Sequence, residues 1–105
     1  MPMYLAMNRF RVKNGQEDAF ETVWRNRDSQ LEKVPGFKSF HLLKGPRNDD
    51  GTILYASHTI WADQAAFIAW TKSEHFRIAH KNAGDNKPLY DGPPSFEGFE
   101  AVSGA

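Results

Sequence analysis

At 105 residues the chain has room for one domain and one core. Its 13 Lys and Arg balance 13 Asp and Glu, so it offers no basic field to nucleic acid and no polybasic patch to a membrane. The absence of cysteine excludes disulfides, thiolate metal sites and a cysteine nucleophile; with no apolar run near the ~20 residues of a membrane span and no basic-then-apolar start, a cytoplasmic protein is expected.

Met3 to Lys13 alternates as a strand. Tyr4, Ala6, Asn8, Phe10 and Val12 lie on one face, and Met3, Leu5, Met7, Arg9 and Arg11 on the other. Both faces are apolar over the first half, so cover is expected on both. Asn14-Gly15 ends the strand with turn chemistry. Gln16 to Lys33 reads as an amphipathic helix, with Phe20, Val23, Trp24 and Leu31 at three- and four-residue intervals. Arg27 continues that stripe; it either snorkels at the edge or meets an anionic ligand. Pro35-Gly36 stops the chain before the next element.

Phe37 to Lys44 reads as a strand, the stretch from Gly45 to Gly51 as a polar hairpin loop, and Thr52 to Trp61 as the next strand. His41 and His58 fall on these neighbouring strands and can face one side. Without a third ligand in view they read as structural. Asp63 caps a second helix. Within it, Ala66 to Thr71 carries Phe67 and Trp70, and Ser73-Glu74 has the chemistry of a new helix start. From Ser73 on, Phe76, Ala79 and His80 share one face. A histidine there is more often core than ligand. Trp70 and His80 converge on one pocket only if the helix resets near Ser73, because a continuous helix leaves them about a quarter turn apart. Asn82 to Pro94 is a polar segment, long for a connection in a small domain, of the kind that forms lids and binding loops. Phe96 to Val102 closes the pattern as a last strand.

Strand, helix, strand, strand, helix, strand predicts an α+β, ferredoxin-like βαββαβ domain: a four-stranded antiparallel sheet with both helices on one face. The other face then needs a second copy, and a homodimer whose sheets close into an α+β barrel would bury it.

Three segments carry a more specific likeness. Met7-Asn8-Arg9, the run from Ala66 to Ser73, and Phe76-Arg77-Ile78-Ala79-His80-Lys81 together resemble the haem-degrading monooxygenases of the IsdG type, within the antibiotic-biosynthesis-monooxygenase-like superfamily of dimeric α+β barrels. Phe40 to Leu43, Tyr55 to His58 and Gly84 to Tyr90 point to its HmuQ-like branch found in rhizobia. That resemblance implies an oxygenase for which haem is both substrate and cofactor. It implies O₂ as oxidant and electrons from an external donor, a separate reductase, since the chain has no flavin or nicotinamide motif. The product implied is a biliverdin-type linear tetrapyrrole with release of iron. Asn8, Trp70 and His80 match the family's functional positions. His80 would be the axial ligand to iron, Asn8 a hydrogen-bond donor toward bound oxygen, and Trp70 the side chain that buckles the ring. Phe20, Val23, Trp24, Phe67 and Phe76 can wall such a slot, and Arg27, Arg77 and Lys81 are the cations available to the propionates. The alternatives are a haem carrier without turnover and a cofactor-free monooxygenase of a small aromatic.

Overall fold

The computed structural model describes residues 3–27, 31–74, 76 and 89–105. In chain order it contains β1 (Tyr4–Val12), α1 (Glu17–Arg25), a short 3₁₀ turn (Leu31–Lys33), β2 (Phe37–Arg47), β3 (Ile53–Trp61), α2 (Gln64–Thr71) and β4 (Ser95–Glu100). The strands form one four-stranded sheet in the order β2-β3-β1-β4, with every neighbouring pair antiparallel. This is the ferredoxin-like α+β arrangement expected from the order of elements.

The period of two along the strands sorts the sheet into two faces. On β1 the side chains Tyr4, Ala6, Phe10 and Val12 are buried, and on β3 their partners Trp61, Thr59, Tyr55 and Ile53 are buried with them. These face the helices. Two apolar clusters form there. Tyr4, Ala6, Trp61 and Trp70 gather with Leu31 and Val34 at one end. Phe10, Val12, Phe20, Ile53 and Tyr55 gather at the other. Truncating a ring as enclosed as Phe20 costs about 3–5 kcal/mol, so each cluster is a substantial share of the fold's stability.

Three boundaries differ from the sequence reading. The first helix stops at Arg25, well before Lys33. Its last turn tightens, with the amide of Arg27 bonding the carbonyl of Trp24 at 3.4 Å. Leu31 then enters on a separate 3₁₀ turn and fills the cluster opposite to the one that holds Phe20. A single straight helix could not place both. The second strand runs on through Gly45-Pro46-Arg47; β2 is a sheet edge, where a proline without an N–H removes no ladder bond on its open side. The last strand begins at Ser95 and ends at Glu100.

The long polar segment lies largely outside the described residues, but its end is anchored. Lys13 donates to the Leu89 carbonyl and Asp91 to the Arg11 carbonyl, each at 2.9 Å, and Tyr90 bridges Val12. The turn before β2 needs Gly36: its φ is +85°, and a β-carbon there would collide with Ala66 of α2. The Gly36 carbonyl accepts from Ala62 at 2.7 Å, so that glycine seats the start of the second helix.

Candidate active site

Asn8 is the one polar side chain on the helix-facing side of β1. It lies between Ala6 of one cluster and Phe10 of the other, opposite Ser57 on β3 and Phe96 on β4. It is half-buried, and its carboxamide makes no hydrogen bond to any described residue. Its amide atoms keep solvent access, so it is an accessible polar group on an otherwise apolar face and not a buried orphan. Thr59 of the same face is instead paired within the protein. The Thr59 hydroxyl donates to the Ala6 carbonyl at 3.3 Å and accepts from the Trp61 indole N–H at 3.0 Å.

One aromatic wall beside Asn8 comes from α2 and the turn after it. Asp63 caps α2 by accepting from the Ala66 amide at 2.8 Å. Phe67 and Trp70 are then delivered onto Tyr4 and Trp61, with ring centroids 5.4 and 5.3 Å apart. Trp70 is 8% exposed. The chain resets at Ser73. Its hydroxyl donates to the Trp70 carbonyl at 2.6 Å and accepts from the Phe76 amide at 3.2 Å, which closes α2 and caps the turn that carries Glu74 and Phe76. Phe76 then meets the Trp70 ring edge-on at 4.8 Å. Phe96 extends this wall from β4, stacked on Phe67 at 5.7 Å and 12°.

The other wall is α1. Trp24 stacks on Phe40 at 5.8 Å and 16° and meets Phe10 edge-on. The Arg27 guanidinium lies 4.3 Å from the Trp24 ring centre, a cation–π contact. Burial lowers the Arg27 pKa without discharging it. Phe20 is 1% exposed and enclosed by Phe10, Trp24, Tyr55 and Tyr90, so it backs this wall and has no free surface for a ligand.

The structure therefore gathers Phe67, Trp70 and Phe76 into one group and Phe20, Trp24 and Arg27 into another, with Asn8 between them. His80 lies outside the described residues, as do Arg77 and Lys81.

The sequence reading missed Phe96, which only the β1–β4 register sets beside Asn8. It also missed the Tyr55–Glu21 pair under α1. The Tyr55 hydroxyl donates to the Glu21 carboxylate. That bond, followed by Lys44 and Arg25, lowers the Glu21 pKa against the opposing effect of burial. Burial first, then the bond to Glu21, raises that of Tyr55. These two residues line a cleft with Trp24, Arg25, Phe40, Leu42 and Lys44 that does not include Asn8 or Trp70. Among the described residues no three His, Asp or Glu side chains gather as a metal site, and no helix is long and apolar enough to cross a membrane.

The sequence pattern of the family described as "Antibiotic biosynthesis monooxygenase" matches residues 3–82. A haem oxygenase (staphylobilin-producing) of Staphylococcus haemolyticus is 30% identical over 80 residues, spanning 76% of this chain and 75% of that protein. Among solved structures, an MhuD variant with two manganese protoporphyrin IX molecules bound per active site is 29% identical, with 97% of each chain covered and a TM-score of 0.71. SnoaB from Streptomyces nogalater, a cofactor-independent oxygenase, superposes with a TM-score of 0.67 over 98% of this chain and 96% of its own, at 23% identity, a likeness of fold.

Proposed function

We propose, from the premise that the chain belongs to the antibiotic biosynthesis monooxygenase family, that it is a haem-degrading monooxygenase. It opens the porphyrin of haem to a biliverdin-type linear tetrapyrrole and releases iron, using O₂ and electrons from a separate reductase. The observation that carries this reading is the Asn8 carboxamide: half-buried, without a hydrogen-bond partner among the described residues, and set between two aromatic walls. A flat, apolar substrate with a polar centre answers that arrangement, because it fills the walls and gives the amide an acceptor. Two relatives add weight, one named a haem oxygenase and one holding a metalloporphyrin.

Bound haem supplies the activation of dioxygen at its iron. The chain does the rest. His80 would hold the iron through one imidazole nitrogen. Asn8 would donate a hydrogen bond toward bound oxygen; its amide does not titrate near neutral pH, so the donor persists across the working range. Trp70 is held by Trp61, Phe67 and Phe76 on three sides. So held, it would press on bound haem as a stiff wall and buckle the ring. Trp24 closes the slot from α1 and Arg27 offers a cation to the propionates. Together the rings keep water from the reacting carbon.

The opposite sheet face supports a homodimer. It carries Leu5, Met7 and Ile60 half-buried, with Leu43 at 41% and Phe99 at 48% exposure. A contiguous apolar face of this kind is normally covered, and a second copy covers it by symmetry.

Haemin titrated into the purified protein is expected to give a saturable Soret shift, and reductant in air to bleach it with formation of a linear tetrapyrrole. His80→Ala removes the axial bond, Asn8→Ala spares binding and slows turnover, and Trp70→Phe slows turnover with a flatter porphyrin. Haem that binds but survives reductant and air supports a carrier, and no Soret shift at all supports a cofactor-free oxygenase; either overturns the proposal.

A further inference from the structure

The helix-facing side of the sheet carries a second polar side chain at the place where Asn8 stands. Strand pairing sets Leu42, Ser57, Asn8 and Phe96 in one row across β2, β3, β1 and β4. The row runs between the two apolar clusters: along β3, Ser57 falls between Tyr55 of one and Trp61 of the other. We propose that Ser57 is a positioning residue for Asn8. Its hydroxyl donates to the Asn8 carboxamide oxygen when haem is bound, and so turns the amide N–H toward the ligand. This inference rests on the haem-degrading reading and adds to it a residue that no spacing in the sequence singles out.

Ser57 is 8% exposed. Its hydroxyl makes no hydrogen bond to any described residue, yet it is not sealed off from solvent. Two places along the strand, Thr59 is equally enclosed and its hydroxyl is fully used, on the Ala6 carbonyl and the Trp61 indole. The fold therefore pairs a hydroxyl on this face where structure alone requires it. Asn8, directly opposite Ser57, likewise has no partner among the described residues. Two adjacent polar groups that the fold does not consume, both open, mark a site; in a core such groups are paired with each other or with the backbone. Opposed β-carbons of an antiparallel pair lie about 4.5–5.5 Å apart, so rotation about one side-chain bond brings the hydroxyl to the carboxamide.

The chemistry gives the hydroxyl its task. One end of a carboxamide only donates and the other only accepts. The two ends are almost equal in size, so the apolar neighbours Ala6 and Phe10 cannot choose between them. Turned by half, Asn8 would present its oxygen to the ligand and repel an acceptor there. When the ligand takes the N–H, the carboxamide oxygen is left to accept, and Ser57 is the donor set across from it. Leu42 and Phe96, at the two ends of the row, have no polar side-chain atom to offer. Haem binding itself is carried by the aromatic walls, so losing the hydroxyl falls on the reaction and on the polarity that bound ligands feel.

The test compares Ser57→Ala, Ser57→Thr, Asn8→Ala and the double variant Asn8→Ala/Ser57→Ala in the whole chain. Without haem, Ser57→Ala should move the melting temperature by less than about 2 °C, because no bond of the fold is lost. Haemin affinity should stay within about twofold, while turnover falls about fivefold, the worth of one ordinary hydrogen bond. Carbon monoxide on reduced haem is the spectroscopic probe. A donor aimed at it lowers the C–O stretch, so Ser57→Ala should raise that frequency toward the value in Asn8→Ala. Ser57→Thr keeps the hydroxyl and should restore both turnover and frequency. The double variant should be no slower than Asn8→Ala alone, because the hydroxyl acts only through the amide. Normal turnover with an unmoved C–O stretch in Ser57→Ala overturns the proposal, as do losses that multiply in the double variant. A fall of about 5 °C in the melting temperature of haem-free Ser57→Ala makes the hydroxyl structural and overturns it too. No Soret shift in the unmodified protein removes the haem reading and this inference together; haem degraded equally well with and without the hydroxyl removes this inference alone.

Discussion

Ser73→Ala tests whether the break between the two helical segments is what sets the α2 wall. The hydroxyl accepts from the Phe76 amide at 3.2 Å and donates to the Trp70 carbonyl at 2.6 Å. Removing an N-cap oxygen costs about 1 kcal/mol. The loss falls on the segment from Glu74 on, since α2 keeps its own closing bonds from Lys72 to Ala69 and from Ser73 N–H to Trp70. If haem binds only when Phe76 is seated against Trp70, the affinity falls by the same free energy, about fivefold. Haemin titration by Soret absorbance reads that change. Amide exchange at Phe76 should quicken by a similar factor. The melting temperature should move by less than the ~4–8 °C that 1 kcal/mol of global stability produces in a domain this size. Ser73→Asp should restore both, because Asp caps well and suits the positive helix end. A Ser73→Ala titration superimposable on the unmodified protein refutes the reasoning, as does an Asp variant that remains weak.

Two further perturbations probe the frame. Tyr55→Phe removes the hydroxyl that most lowers the Glu21 pKa, and should cost about 1 kcal/mol, the ordinary net worth of such a bond; urea unfolding checks it, and a loss under a few tenths contradicts the reading. The sign at high pH follows from the raised Tyr55: its contribution is whole below the unfolded value near 10 and is lost as pH climbs above it, so the phenylalanine variant should show less alkaline destabilisation. Asp50 is held down to about 2 from 3.8, first by the Thr52 hydroxyl, then by the Thr52 amide and by Arg11. Being depressed, it stabilises the fold fully above pH ~4 and ceases to as pH falls toward ~2, so Asp50→Asn should flatten the acid limb of a melting-temperature profile across that window.

Much of this arrangement was legible because it rests on local rules. The alternation in β1 and β3 survives in the register between them, and Asp63 and Ser73 cap where short oxygen-bearing side chains precede free amides. The misreadings arose where a local rule met tertiary demand. Leu31 continues the heptad-like spacing of Phe20 and Trp24, yet it leaves the helix to fill the other cluster, and periodicity alone cannot see that the stripe has two destinations. Gly45-Pro46 has turn composition, yet an edge strand tolerates it. Phe20 has the right chemistry for a slot, but its neighbours consume its surface. Phe96 and the Tyr55–Glu21 pair depend on contacts between residues distant in sequence, for which no spacing rule exists.

The two faces of the sheet meet at consecutive residues of β1. Asn8 faces the helices and Met7 the other side, because successive side chains on a strand point to opposite faces. Their nearest cross-strand partners are correspondingly different in kind, Ser57 for Asn8 and His58 for Met7. The backbone ladder separates them. Asn8→Ala should therefore slow haem turnover and leave dimer affinity intact, while Met7→Leu, on the face proposed to be covered by a second copy, should change dimer affinity and leave turnover by the dimer intact. In the double variant the two free-energy changes should add within about 0.5 kcal/mol. A larger coupling would mean that β1 shifts its register or tilt when either site is altered, since a one-residue slip exchanges the faces. In that case neither single-variant result could be assigned to its own side of the sheet, and the separation argued from the period of two would fall.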